Sequence, residues 1–261
     1  MNWYQTSTNI EKIAFRNPLD ILSNEIVKEI STRIRKNLNF DSWIKDDQDF
    51  PLLKELKIQY IEFELKEDNN IFRSFVINGK MDRVLNSSTG YGKIFIEFRY
   101  NSQKFNKSSW DKMYKDLIEA TRHELEHAFV IENYEGIKRS DIRETPKNPW
   151  ENAISVYNYL TNLSEREAFV RGILLKAKKE NLPAEDIFQE YFLELIFGSK
   201  LQFPNRDSII RQTFSMRYPL KNGLTIFEMY EKVMKNFKNR LAQVRRGIKP
   251  SDMKLKPGKK I

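Results

Sequence analysis

The sequence predicts an α+β fold, with strands grouped early in the chain and helices after them. Two patterns carry this. Short runs rich in β-branched and aromatic residues fall at 58–65, 71–77 and 93–100, separated by turn-forming pieces at 67–70 and 86–92. From Ser108 onward, apolar residues recur at three- and four-residue spacing in one segment after another. Strands first and helices after point away from alternating β–α units.

Taken in order, a helix is predicted over 18–37. Pro18 suits a first helical position, and Leu19, Leu22, Ile26, Ile30 and Ile34 form its apolar stripe. A polar stretch, 41–49, follows. In the last predicted strand Ile94, Ile96, Phe98 and Tyr100 alternate with Glu97 and Arg99, and the small sheet is expected to be mostly antiparallel. The next helix is expected to start at Ser108, with Asp111 three residues on. Its buried stripe is Trp110, Met113, Tyr114, Leu117 and Thr121, and it runs through His123 and His127 to about 131. Gly136, Pro146 and Pro149 break the segment 133–150, for which one wall of a cleft and a disordered loop are equal expectations. Helices follow at 151–160, 164–179, 184–197, 207–214 and 225–246, the last opened by Thr225 and Glu228 in capping-box spacing. The division expected is a helical segment 1–50, a core 51–180, a helical part 181–246 and a basic, disordered tail 247–261. There is no internal repeat.

Composition bounds the chemistry. The 261 residues hold no cysteine and two histidines. Zinc ribbons, iron–sulfur sites, disulfides and thiol nucleophiles are therefore excluded, and a transition-metal site has at most two imidazoles and takes its other ligands from carboxylates. No P-loop, G-x-G-x-x-G or G-x-S-x-G motif occurs. The first 16 residues contain no uninterrupted apolar h-region, and no apolar run approaches the roughly 18 residues of a membrane span, so a soluble, cytoplasmic protein is expected. A net charge of +9 suggests an acidic partner such as nucleic acid. Lys232, Lys235, Lys238, Arg240, Arg245, Arg246 and the lysine-rich tail would carry it, although a solvated helix face and a solubilising tail account for them equally.

Both histidines fall in Arg122-His123-Glu124-Leu125-Glu126-His127-Ala128, an H-E-x-x-H motif. Residues four apart share a helix face, so two imidazoles can point at one metal ion. Glu124 lies about 100° round the helix, where its carboxylate can reach a water on the metal without being a ligand. Two fixed ligands, an open position and a base beside them suit metal-assisted hydrolysis. In a shuffled chain of this composition the pattern would arise roughly once in a thousand tries.

The metzincin continuation is absent, since Asn133 stands at the third-histidine position and Val130 replaces the expected glycine. The chain instead resembles the glutamate zincins, in which a later helix supplies Glu in an E-x-x-A or E-x-E-A segment, here Ser164-Glu165-Arg166-Glu167-Ala168-Phe169. The resemblance spans about 58–177. It implies a zincin-like fold, with a small sheet on the H-E-x-x-H helix, and a zinc metallopeptidase acting on a peptide or protein. Zn2+ would be held by His123, His127 and a downstream glutamate. Glu165 shares its face with Ala168, Phe169, Gly172 and Ile173 and is the expected ligand. Glu167 is the alternative; it shares a wetter face with Arg171 and has capping-box spacing from Ser164. Glu124 would be the general base. Tyr157 is the expected oxyanion donor, with Tyr134 as another candidate. Phe169 occupies the place where such proteins often carry an acidic residue that orients a histidine. The Lys/Asn/Ile-rich composition and the start Met1-Asn2-Trp3-Tyr4 resemble tailed-phage proteins, which implies a host cytoplasm or a virion. The alternative function is a basic nucleic-acid-binding or virion-associated structural protein on the same fold, without activity.

Overall fold

The computed structural model describes residues 17–36, 42–71, 73–83, 91–135, 149–197, 206–250 and 253–259. These form a mixed α+β structure of eight helices and one four-stranded sheet. The elements are α1 (Pro18–Lys36), β1 (Ser42–Asp46), α2 (Pro51–Glu55), β2 (Ile58–Glu67), β3 (Phe75–Arg83), β4 (Gly92–Tyr100), α3 (Lys107–Asn133), α4 (Pro149–Thr161), α5 (Leu163–Glu180), α6 (Ala184–Phe197), α7 (Arg206–Ser215) and α8 (Ile226–Arg245). Met1 to Tyr4, most of the turn 86–92 and most of the segment 133–150, expected as a cleft wall or a disordered loop, lie outside the described residues. Among the described residues no helix is long and apolar enough to cross a membrane.

The strand order is β1-β2-β4-β3. The two outer pairings are antiparallel and the central one, β2 with β4, is parallel. The last strand enters between the two before it, which leaves β3 as an edge. β1 departs from the sequence expectation, which leaves 42–46 in a polar stretch. Of its residues only Trp43 is buried, and one side chain cannot show a period of two. β3 starts later than expected, at Phe75.

Strand alternation sends one set of side chains inward. One row across the sheet is Trp43, Phe63, Ile96 and Gly79, flanked by the rows Ile61–Ile94–Met81 and Leu65–Phe98–Ile77. This face packs on α1 and α3 through Ile26, Ile30, Ile34, Met113, Leu117 and Leu125, all fully buried. A second core joins α4, α5, α6 and α8 around Phe169, Phe188, Phe192 and Phe237. Burying a side chain of this size contributes about 1.5–3 kcal/mol, so each cluster is a substantial core.

Helix α3 is capped two residues ahead of the expected position. Asn106, not Ser108, is the N-cap: its side chain accepts from the Ser108 and Ser109 amides, and Ser109 Oγ accepts from the Asn106 amide. Helix α5 is likewise capped by Asn162, so Ser164 and Glu167 do not form a capping box. The α5 helix stops at Asn181, whose left-handed backbone (φ 56°) suits asparagine.

The tail differs from the disorder expected of it. Leu255 bridges Tyr134 at the end of α3, with the Glu135 amide donating to the Lys254 carbonyl and the Lys256 amide to the Asn133 carbonyl. Met253 is buried against Val130 and Tyr134, and Lys259 pairs with buried Glu132. The Lys/Pro composition hides a single anchoring methionine.

Candidate metal centre

Every residue of α3 from 121 to 128 is buried. About two helical turns are therefore enclosed on all sides, and each side holds a different group. Arg122 is completely buried and binds Asp20 of α1 and Glu126 one turn on, each at 2.7 Å. Glu124 points to the sheet. His123 and His127 point to α5.

Their partner is Glu165. His123 Nε2 and His127 Nε2 stand 3.0 Å apart, and Glu165 Oε2 lies 3.5 Å from the first and 3.1 Å from the second. Glu165 and His127 are fully buried and His123 is 8% exposed. These three residues form the one group of potential ligands found among the described residues. A point equidistant from the three atoms lies about 1.9 Å from each. That spacing is compatible with the nitrogen and oxygen ligand distances of about 2.0–2.2 Å typical of zinc, so the three residues would be the ones to hold such an ion. The Glu165 carboxylate is buried, with the two imidazoles in front of it and the Tyr159 hydroxyl beside it. The donor atoms converge on a common point, so the group can hold a metal ion.

Burial pushes the Glu165 carboxyl up, but contact with the His123 and His127 imidazoles outweighs it and holds the carboxyl down at about 2. At neutral pH it meets a cation as an anion, with no proton to lose.

The approach of α5 depends on Gly172, which lies two turns from Glu165 on the same face. A Cβ there would stand 3.0 Å from the Glu119 backbone oxygen and 3.6 Å from His123 Cβ. Beside it, Lys176 binds Asp116 at 2.6 Å and Glu119 at 3.5 Å, tying α5 to α3 one turn above His123. Phe169 sits edge-on to the His123 ring at 4.5 Å between centroids, so this imidazole packs against an aromatic ring at the position where glutamate zincins often carry an acidic residue.

Glu167 takes no part in the ligand group. It is fully buried, contrary to the wet face expected of it, and Arg240 Nε donates to its carboxylate. The two residues are about 200° apart on the helix, and α8 covers the side away from the histidines. Arg240 is accordingly no part of a solvated basic face; Lys232, Lys235, Lys238, Arg245 and Arg246 are exposed. Alternation of charged and apolar residues along α8 could not single out the one buried arginine.

Tyr157 and Tyr159 are both half-buried against the second core, and it is Tyr159 that carries contacts to the centre. Tyr159 lies edge-on to Phe169, and burial followed by the nearby Glu165 charge raises its pKa well above the ordinary value. Tyr191 of α6 packs against Phe169 from another side and is raised by burial and by Glu119, Glu165, Glu194 and Glu124. Both phenols remain protonated donors at neutral pH. Tyr134 lies at the far end of α3, where its pKa is raised by burial and by Glu167 and Glu126. Sequence inspection misses Tyr159 and Tyr191 because no motif contains them; only the α4–α5 turn and the docking of α6 bring them in.

The Glu124 carboxylate lies against the edge strand: a Cβ built at Gly79 would meet its Cγ and Oε1 at 2.9 Å. No known protein family, no characterised protein and no solved structure matches this chain.

Proposed function

We propose that the protein is a zinc-dependent peptidase of the glutamate zincin kind. The observation that supports this best is the convergence of His123, His127 and Glu165 at separations of 3.0–3.5 Å, with Glu124 on the adjoining helix face. Two imidazoles and one carboxylate with a position left open are a common ligand set for catalytic zinc. Zinc so bound supplies Lewis acidity to a carbonyl and lowers the pKa of water towards about 7.

The remaining work falls to side chains of this chain. Glu124 takes the proton of the attacking water and passes it to the leaving amine. The Tyr159 hydroxyl, and Tyr191 beside it, donate to the oxygen that gains charge at the carbonyl carbon. Among the described residues β3 is the outermost strand on its side of the sheet, and its Gly79 lies against Glu124.

Metal analysis of the purified chain tests the reading. One equivalent of zinc is expected, lost with His123→Ala. Glu124→Gln is expected to retain zinc and lose peptide hydrolysis. Absence of stoichiometric zinc, or hydrolysis that survives Glu124→Gln, would overturn it.

A further inference from the structure

Gly79 is the one residue of the row Trp43–Phe63–Ile96–Gly79 without a side chain, in a sheet face otherwise filled by large apolar groups. Glycine in the middle of a strand weakens it, since it brings conformational freedom and nothing to pack. The backbone does not demand it here: the positive-φ glycines among the described residues are Gly223, Gly247 and Gly258. What demands it is space. The three atoms nearest to a Cβ at this position are all from Glu124: Cγ and Oε1 at 2.9 Å and Cδ at 3.3 Å. Real Cβ atoms do not approach neighbours so closely, and the crowded atoms belong to one flexible side chain. The conflict would therefore be relieved by moving the carboxylate and leaving the strand in place.

We infer that Gly79 is a positioning residue for Glu124: the missing Cβ is the notch in which the carboxylate rests, on the helix face adjoining that of the two histidines. The inference rests on the proposed role of Glu124 as base. With Gly79→Ala, the methyl group takes the notch and the carboxylate turns away. A displacement of about 1 Å in a catalytic group costs on the order of 100-fold in rate. None of the three atoms nearest to a Cβ at position 79 belongs to His123, His127 or Glu165, so metal affinity is expected to stay within about 3-fold.

Two measurements on the full chain test this. The first is a double-mutant cycle read by thermal unfolding after chelation of metal, which needs neither substrate nor zinc. In the Glu124→Ala background Gly79→Ala is expected to raise Tm by about 1–3 °C, because strand entropy is recovered without a clash. In the wild-type background it is expected to leave Tm unchanged or lower it by about 1–6 °C. Equal shifts in the two backgrounds would overturn the contact and the inference with it. The second is the pH midpoint of the visible spectrum of the Co2+-substituted protein, which responds to the group beside the metal. A shifted midpoint with Gly79→Ala is expected; coupling in Tm with an unmoved midpoint would make Gly79 a packing residue only. Failure of Co2+ and Zn2+ to bind wild-type protein would refute the metal centre, and the unfolding cycle would still decide whether Gly79 sets the place of Glu124.

Discussion

Replacing each α5 glutamate by its isosteric amide separates a metal ligand from a structural ion pair, and the structure assigns the two residues opposite responses. Glu165 Oε2 is 3.1–3.5 Å from both Nε2 atoms and anionic at neutral pH. Zinc binding worth about 10–16 kcal/mol over four ligands averages about 3 kcal/mol for each. At 1.4 kcal/mol per decade, Glu165→Gln is expected to weaken zinc binding by about 100-fold. Glu167 instead neutralises buried Arg240, which also donates to Gln243 Oε1 at 2.9 Å and the Ile248 carbonyl at 3.0 Å. Removing one partner of a buried pair costs about 3–5 kcal/mol. The two further acceptors place this case near the lower bound, about 3 kcal/mol, which lowers Tm by about 6–12 °C. Zinc affinity of Glu167→Gln should stay within about 3-fold of wild type. Competition with a fluorescent chelator measures the first quantity and calorimetry of the chelated protein the second. A 100-fold loss of zinc with Glu167→Gln, or none with Glu165→Gln, would refute the ligand assignment.

Three further outcomes are expected. Gly172→Ala sets a helix-propensity gain of about 1 kcal/mol against a methyl group 3.0 Å from the Glu119 carbonyl oxygen. The oxygen is backbone and cannot yield, so a net loss of about 1–2 kcal/mol and weaker zinc binding are expected in unfolding and competition assays; a more stable variant would show that α3 and α5 are not in tight contact. Tyr159→Phe is expected to lower kcat/KM on a reporter peptide by about 10²-fold with zinc content intact, while Tyr157→Phe changes it by less than about 2-fold. The reverse ranking would remove Tyr159 from the reaction. Arg122→Met leaves Asp20 and Glu126 facing an apolar group and should cost about 3–5 kcal/mol in denaturant unfolding. Adding Glu126→Met should recover part of that loss, and a double variant less stable than the single would contradict the pairing.

What the sequence by itself determines here is local. Two histidines four apart on a helix must share a face, and a glutamate beside the first must lie to one side of them, because both follow from 100° per residue. The faces of Glu165 and Glu167 follow from the same geometry, and the apolar residues beside Glu165 already point that face inward. Helix extents were legible for the same reason: α1, α3, α5, α6 and α8 begin and end within about two residues of where apolar spacing, Pro18, Ser108 and Thr225 put them, although Asn106 and Asn162 supply caps that the spacing did not single out. Tertiary structure decided everything that needs a second element. Burial of a charged residue cannot be read from its own segment when its partner is distant in the chain, as with Arg122 and Asp20 or Glu167 and Arg240. The parallel pairing of β2 with β4, the exchange of Tyr157 for Tyr159 at the centre and the anchoring of the tail by Met253 depend on how elements stack. Gly79 shows the division most directly: in the sequence it is a glycine that weakens a strand, and in the fold it leaves the space that Glu124 occupies.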